Sequence, residues 1–201
     1  ASGTEYVSHH LGFLTYGKLD GHWGFAHTPE EAAQMGFWAI NVDTMLISMI
    51  LGVLFMGFYY FVSRKVTSGV PGGVQNFVEM IIEFVIESVE GAFHAKNKFV
   101  APLALTTFSW IFLMNAMDLV PVDWIPLFAQ TVAGDSHLYF KAVPTTDINI
   151  TLGFATAVFI MVIYYSLKMK GPLGFANDFL MHPFPKWYLA PLNLLLELPG
   201  F

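Results

Sequence analysis

Apolar and polar positions divide the chain into long blocks. Residues 44–63 carry no carboxylate and no base until Arg64 and Lys65 close the run. At about 1.5 Å per residue such a helix reaches roughly 30 Å, the hydrocarbon thickness of a bilayer. Asn41 and Asp43 precede it as candidate caps. A second run, 99–122, is interrupted only by Asp118. Pro102 lies in its first turn, where proline is tolerated, and Pro121 and Pro126 end it. A third, 148–167, is uncharged and stops at Lys168 and Lys170, with Tyr164 and Tyr165 where an aromatic belt is expected. The pattern predicts an all-α, multi-pass protein with three transmembrane helices.

The stretches between differ. Residues 1–43 read as an outer N-terminal segment, polar over 1–34 with Glu5, Asp20, Glu30 and Glu31, and no basic region precedes an apolar stretch as in a signal peptide. In 64–98, Gly69-Val70-Pro71-Gly72-Gly73 is a turn signal, and 74–93 then has helical periodicity. Glu79, Glu83 and Glu87 recur every four residues as one acidic stripe, and Phe77, Ile81, Phe84, Val85 and Val89 belong to the apolar remainder. This predicts an amphipathic helix at the membrane interface, its acidic stripe either a partner surface or a solvated face. Residues 123–147 read as an outer loop, and 168–186 as a loop rich in Gly and Pro. Residues 187–201 read as the start of a fourth membrane helix, too short to cross.

Orientation follows from the bases. With three alternating spans, Arg64, Lys65, Lys96, Lys98, Lys168, Lys170 and Lys186 share one side, and Lys18 and Lys141 the other. The positive-inside rule puts the first group in the cytoplasm and the N-terminus outside. Composition agrees: hydrophobic residues are 55% and charged residues 12%, about half the usual charged fraction of a soluble domain. A net charge of −6 does not suggest nucleic-acid binding, and the absence of cysteine excludes disulfides and thiolate chemistry.

Topology sorts the candidate chemistry by depth. Asn115 and Asp118, three residues apart, come near the outer end of the second span, and Thr145, Thr146, Asp147 and Asn149 at the outer start of the third. A short loop makes the two helices neighbours, so these groups gather at the outer leaflet. A carboxylate inside a span is costly, which leaves two readings: an aqueous path for a cation, or helix capping and headgroup contact. Glu197, after Leu194-Leu195-Leu196, is either a proton-path residue or a group at a helix end. His9, His10, His22 and His27 show no ligand spacing, and His94 and His182 stand alone. No GxxxxGK[ST] or GxGxxG motif occurs, so nucleotide chemistry is not expected, and no cofactor or metal is implied.

Several stretches resemble subunit a of the F-type ATP synthases of proteobacteria. They include Tyr6-Val7-Ser8-His9-His10-Leu11, Lys65-Val66-Thr67-Ser68-Gly69-Val70-Pro71-Gly72 and Ala101-Pro102-Leu103-Ala104-Leu105-Thr106. The most specific runs from Trp110 through Asn115-Ala116-Met117-Asp118 to Pro121-Val122-Asp123. Thr146-Asp147-Ile148-Asn149-Ile150-Thr151-Leu152, Tyr165-Ser166-Leu167-Lys168-Met169-Lys170-Gly171 and Pro191-Leu192-Asn193-Leu194-Leu195-Leu196-Glu197 follow in the family's order. The resemblance implies a non-catalytic stator subunit of the bacterial inner membrane that offers two proton half-channels to a rotating ring of c subunits. It places Asn115, Asp118, Asp147 and Asn149 on the outer half-channel and Glu197 on the inner. It also sets the 74–93 helix near the b subunits of the stalk.

One departure stands out. The family's ring-facing arginine lies on a long helix that continues from 187–198, and Arg64, the single arginine here, sits elsewhere. The chain is therefore expected to be a C-terminally truncated form. That expectation leaves a second reading, a non-conducting structural or assembly fragment docked on the stalk.

Overall fold

The computed structural model describes residues 12–92, 99–121, 123–135 and 138–197, with side chains except those of Ala92, Asp178, Phe179, Leu194 and Glu197. Two compact units divide the chain, Ala1–Asp147 and Ile148–Phe201.

The first unit begins with a feature that the polar reading of 1–43 does not contain. Strands β1 (Thr15–Leu19) and β2 (His22–Phe25) form an antiparallel hairpin, and β3 (Ile40–Asn41) pairs with the other edge of β1. The hairpin turns on Asp20 and Gly21 at φ 48 and 85°, the Asx-Gly chemistry that a two-residue turn favours. Tyr16 packs across the pair on Trp23 and Phe25. Helix α1 (Pro29–Gln34) follows, with Thr28 as its N-cap accepting from the Glu31 N–H. The Glu31 carboxylate reaches back to the N–H of His27, the residue before the cap, at 2.7 Å and fixes how the chain enters the helix.

β3 runs directly into α2 (Val42–Ser63), the first apolar span. After the Gly-Pro turn comes α3 (Gly73–Ala92), and then the second span, α4 (Val100–Ala116). Spans α2 and α4 pack antiparallel. Ser48 meets Met114, Tyr59 meets Ser109, and the Trp110 indole donates to the Ser48 carbonyl at 2.9 Å. Gly52 makes this approach possible, because a Cβ there would lie 2.6 Å from Trp110 Cζ2. Small residues perform the same service at many helix contacts in membranes. Helix α3 turns its Val78–Ile81–Ile82–Val85–Val89 side inward against α2 and α4 and leaves Glu79, Glu83 and Glu87 exposed. Phe93, the last residue of the expected amphipathic helix, lies outside the described residues.

The second span is shorter as an α-helix than the expected 99–122. It gives way to a 3-10 turn, Met117–Leu119, and Val120 is extended (ψ 135°). Pro121 causes this, since it disfavours helical geometry at the preceding residue. Val122 lies outside the described residues. The stretch that reads as an outer loop holds a ten-residue helix, α5 (Trp124–Ala133), ended by Gly134 at φ 70°. A second 3-10 turn, Pro144–Thr146, leads to Asp147.

The second unit holds α6 (Ile148–Met181), broken at Gly171 (φ 70°, ψ 167°). Its part Ile148–Asn177 is long and apolar enough to cross a membrane. Gly171-Pro172, which suggests a loop from 168 onward, is instead a break and restart. Glycine takes the left-handed φ without penalty, and proline is accepted in the first turn of the helix that follows. A short helix, α7 (Ala190–Glu197), packs back on α6 through Asn193, which is fully buried. Its amide donates to the carbonyls of Leu180 and Phe184 and accepts from the Phe184 N–H. Many apolar side chains of the three spans are exposed, among them Val53, Phe61, Phe112, Leu152 and Ile160. A helical protein with such a surface suits lipid or partner helices around it.

Candidate functional site

Polar groups of the first unit collect where β3 enters α2. Asp43 is completely buried. Its Oδ2 accepts from the backbone N–H groups of Leu14 (3.0 Å) and Lys141 (2.8 Å), and its Oδ1 from Thr44 N–H (2.8 Å). Three donors meet the acceptor sites of a carboxyl group that would be costly to bury unpaired. This single side chain therefore ties the strand region, the first span and the 138–147 segment together.

Beside it, a second carboxylate is held by side chains. Asp147 is 3% exposed. Its Oδ2 accepts from Thr44 Oγ1 at 2.8 Å and from Asn41 Nδ2 at 2.9 Å. Asn41 Oδ1 in turn accepts from Thr15 Oγ1 on β1. Asn41, expected as a cap, stands at the N-cap position of α2 but makes no side-chain bond to that helix's N–H groups. Its amide is committed to Asp147 instead.

Asn115 joins this region from α4. Its Oδ1 accepts from Thr145 Oγ1 at 3.1 Å, two residues before Asp147, and its Nδ2 donates to the Ile111 carbonyl. Asp118, on the 3-10 turn that follows α4, is at the surface and borders an open hollow of about 180 Å³ whose wall includes Lys141, Val143 and Thr146. At about 30 Å³ per molecule that volume suits roughly six waters. Lys141 Nζ stands 4.5 Å from the centre of the Phe13 ring.

Of the five expected proton-path residues, the first unit thus brings Asn115, Asp118 and Asp147 to one end of the first two spans. Asn149 belongs to the second unit, exposed on the first turn of α6. Glu197 ends α7, and its side chain lies outside the described residues. Glu79, Glu83 and Glu87 are exposed along α3, and Glu79 accepts from Gln75 at 2.7 Å. Asp43 and Thr44 are not among the site residues that the sequence suggests. The signal available is a carboxylate at the head of a long uncharged run, which reads equally well as a cap. Among the described residues, no three His, Asp or Glu side chains converge as a metal site would need. His9, His10 and His94 lie outside them.

The fold and this cluster define a helical membrane protein with three candidate spans and a buried polar network at one end of the first two. A model of the family described as ATP synthase A chain matches residues 45–201. The chain is 54% identical over 197 residues to ATP synthase subunit a 2 of Hahella chejuensis, covering 98% of this chain and 71% of that one. It is 55% identical to ATP synthase subunit a of Ruthia magnifica, covering 96% and 70%, and 57% identical to that of Thiobacillus denitrificans, covering 98% and 69%. The chain belongs to the ATP synthase A chain family.

Proposed function

We propose that this chain is the proton-channel subunit of the stator in an ATP synthase membrane sector, set in the bacterial inner membrane with its N-terminus on the periplasmic side. It performs no bond chemistry itself. It supplies a path by which protons reach and leave a ring of c subunits, and the b subunits of the stalk hold it in place.

The observation that carries this reading is the hollow beside Asp118, next to the buried Asp147 network. A surface carboxylate at a water-sized opening accepts a proton from solution and passes it on. Asn115 and Thr145, hydrogen-bonded to each other, line the next step inward with an amide and a hydroxyl that hold water and do not themselves take up the proton. Asp147 and Asn149 continue the outer half-channel, and Glu197 serves the inner one. The Asp43 carboxylate, saturated by backbone donors, holds the walls in register and takes no part in transfer. The exposed stripe of Glu79, Glu83 and Glu87 forms the contact with the stalk.

These 201 residues hold no cysteine, so an introduced one can be followed in this chain as a test of access and sidedness. Asp118→Cys and Thr146→Cys, made one at a time in the assembled complex, should react with a membrane-impermeant thiol reagent added from the periplasmic side. Ser68→Cys should react only from the cytoplasmic side. Labelling of the Asp118→Cys protein from the cytoplasm, or from neither side, would refute an outer aqueous path. Labelling as expected, with unimpaired proton flux in that same variant, would favour the docking role.

A further inference from the structure

A second and larger hollow lies between α2, α3 and α4, well away from the polar cluster. Its volume is about 480 Å³, and Phe55, Phe58, Phe77, Ile81, Phe108 and Phe112 form most of its wall. We infer that this hollow is a binding site for one acyl chain of a membrane phospholipid.

Water does not suit it. By volume it would take on the order of 16 molecules, each wanting two to four polar partners. The wall offers the Tyr59 hydroxyl and the Ser109 hydroxyl, 3.3 Å apart and already paired with each other. A single file of methylenes fits a narrow aromatic cleft, and in a bilayer it is the apolar guest at hand.

Charge at the end of α2 completes the site. Arg64 and Lys65 follow Tyr59 by five and six residues, about 8–9 Å along a helix, and both are exposed. Arg64 stacks over Tyr60 and donates to its hydroxyl at 3.3 Å, which holds the guanidinium near the span. A phosphate carried by such a tail at this end of the span would lie at the level of these two cations. Since α3 supplies Phe77 and Ile81, the lipid also fastens the amphipathic helix to the spans.

The test uses the full chain reconstituted in phosphatidylcholine–phosphatidylglycerol vesicles, with a trace of phosphatidylglycerol bearing a diazirine at the acyl terminus. After photolysis, peptide mapping should find adducts on 54–59, 77–81 and 108–113 several-fold above those at the exposed span residues Phe61, Leu152 and Ile160, taken as controls. Leu54→Trp, which narrows the mouth, should remove that excess and spare the controls. Native mass spectrometry of the unaltered protein should retain one phospholipid, a readout independent of the variant's folding. Even labelling of hollow and controls, with no retained lipid, would overturn the inference. So would adducts from the hollow residues to another polypeptide in whole membranes, which would hand the space to a partner's side chains.

Discussion

Thr44 and Asp147 lie 103 residues apart and meet in a 2.8 Å hydrogen bond, with the Thr44 hydroxyl donating to Oδ2. Both are buried. The bond joins the first turn of the first span to the residue that precedes the third. Hydrogen bonds to a buried charged group are worth about 1.5–3 kcal/mol, and losing one leaves a carboxylate short of a donor. Thr44→Val keeps the shape and removes the hydroxyl. Thermal unfolding of the purified protein in detergent should show a loss of about 1–3 kcal/mol. Thr44→Ser, which keeps the donor, should lose clearly less. Equal losses would mean that the methyl group matters and the bond does not.

Gly52 governs how closely the first two spans approach. Gly52→Val drives a side chain into the Trp110 ring, whose nearest atoms would be 2.6 and 2.8 Å from the new Cβ. Overpacking of this kind costs about 1–3 kcal/mol. The Trp110–Ser48 bond should lengthen with it, and the indole emission should shift. Gly57, further along the same helix, faces open space. Gly57→Val should change stability by less than about 0.5 kcal/mol. Similar behaviour of the two variants would contradict close packing at Gly52.

The acidic stripe on α3 makes a separate claim. Glu79, Glu83 and Glu87 are exposed, while the opposite side of the helix is packed on the spans. Changing all three to Gln keeps size and polarity and removes the charge. Pull-down of the b subunits with the assembled membrane sector should fall several-fold, more so as salt is lowered, where charge attraction is least screened. Retention at the unaltered level would make the stripe a solvated face.

The spans are legible in the sequence because hydrophobic length is a blunt signal that needs no tertiary partner. The amphipathic helix is legible because its period is 3.6. The sheet is not, although Asp20-Gly21 is a recognised hairpin turn. Its strands have two to five residues, too short to display alternation, and β3 exists only through pairing with Thr15 and Tyr16. Helix α5 hides in a loop-like stretch, since ten residues between two span ends carry little pattern. At the site, depth and loop length suffice to gather Asn115, Asp118 and Asp147. Asp43 stays hidden because its partners are backbone N–H groups of residues 14 and 141, which no side-chain motif reveals.

Proton conduction through the complete membrane sector, with Asp118→Asn in this subunit, decides whether protons pass beside Asp118. Asparagine preserves the size of the side chain and cannot exchange a proton in the working pH range. The passive flux driven by a potassium diffusion potential should fall several-fold in vesicles that contain unaltered amounts of assembled complex. Flux equal to that of the unaltered complex would contradict a proton path beside Asp118.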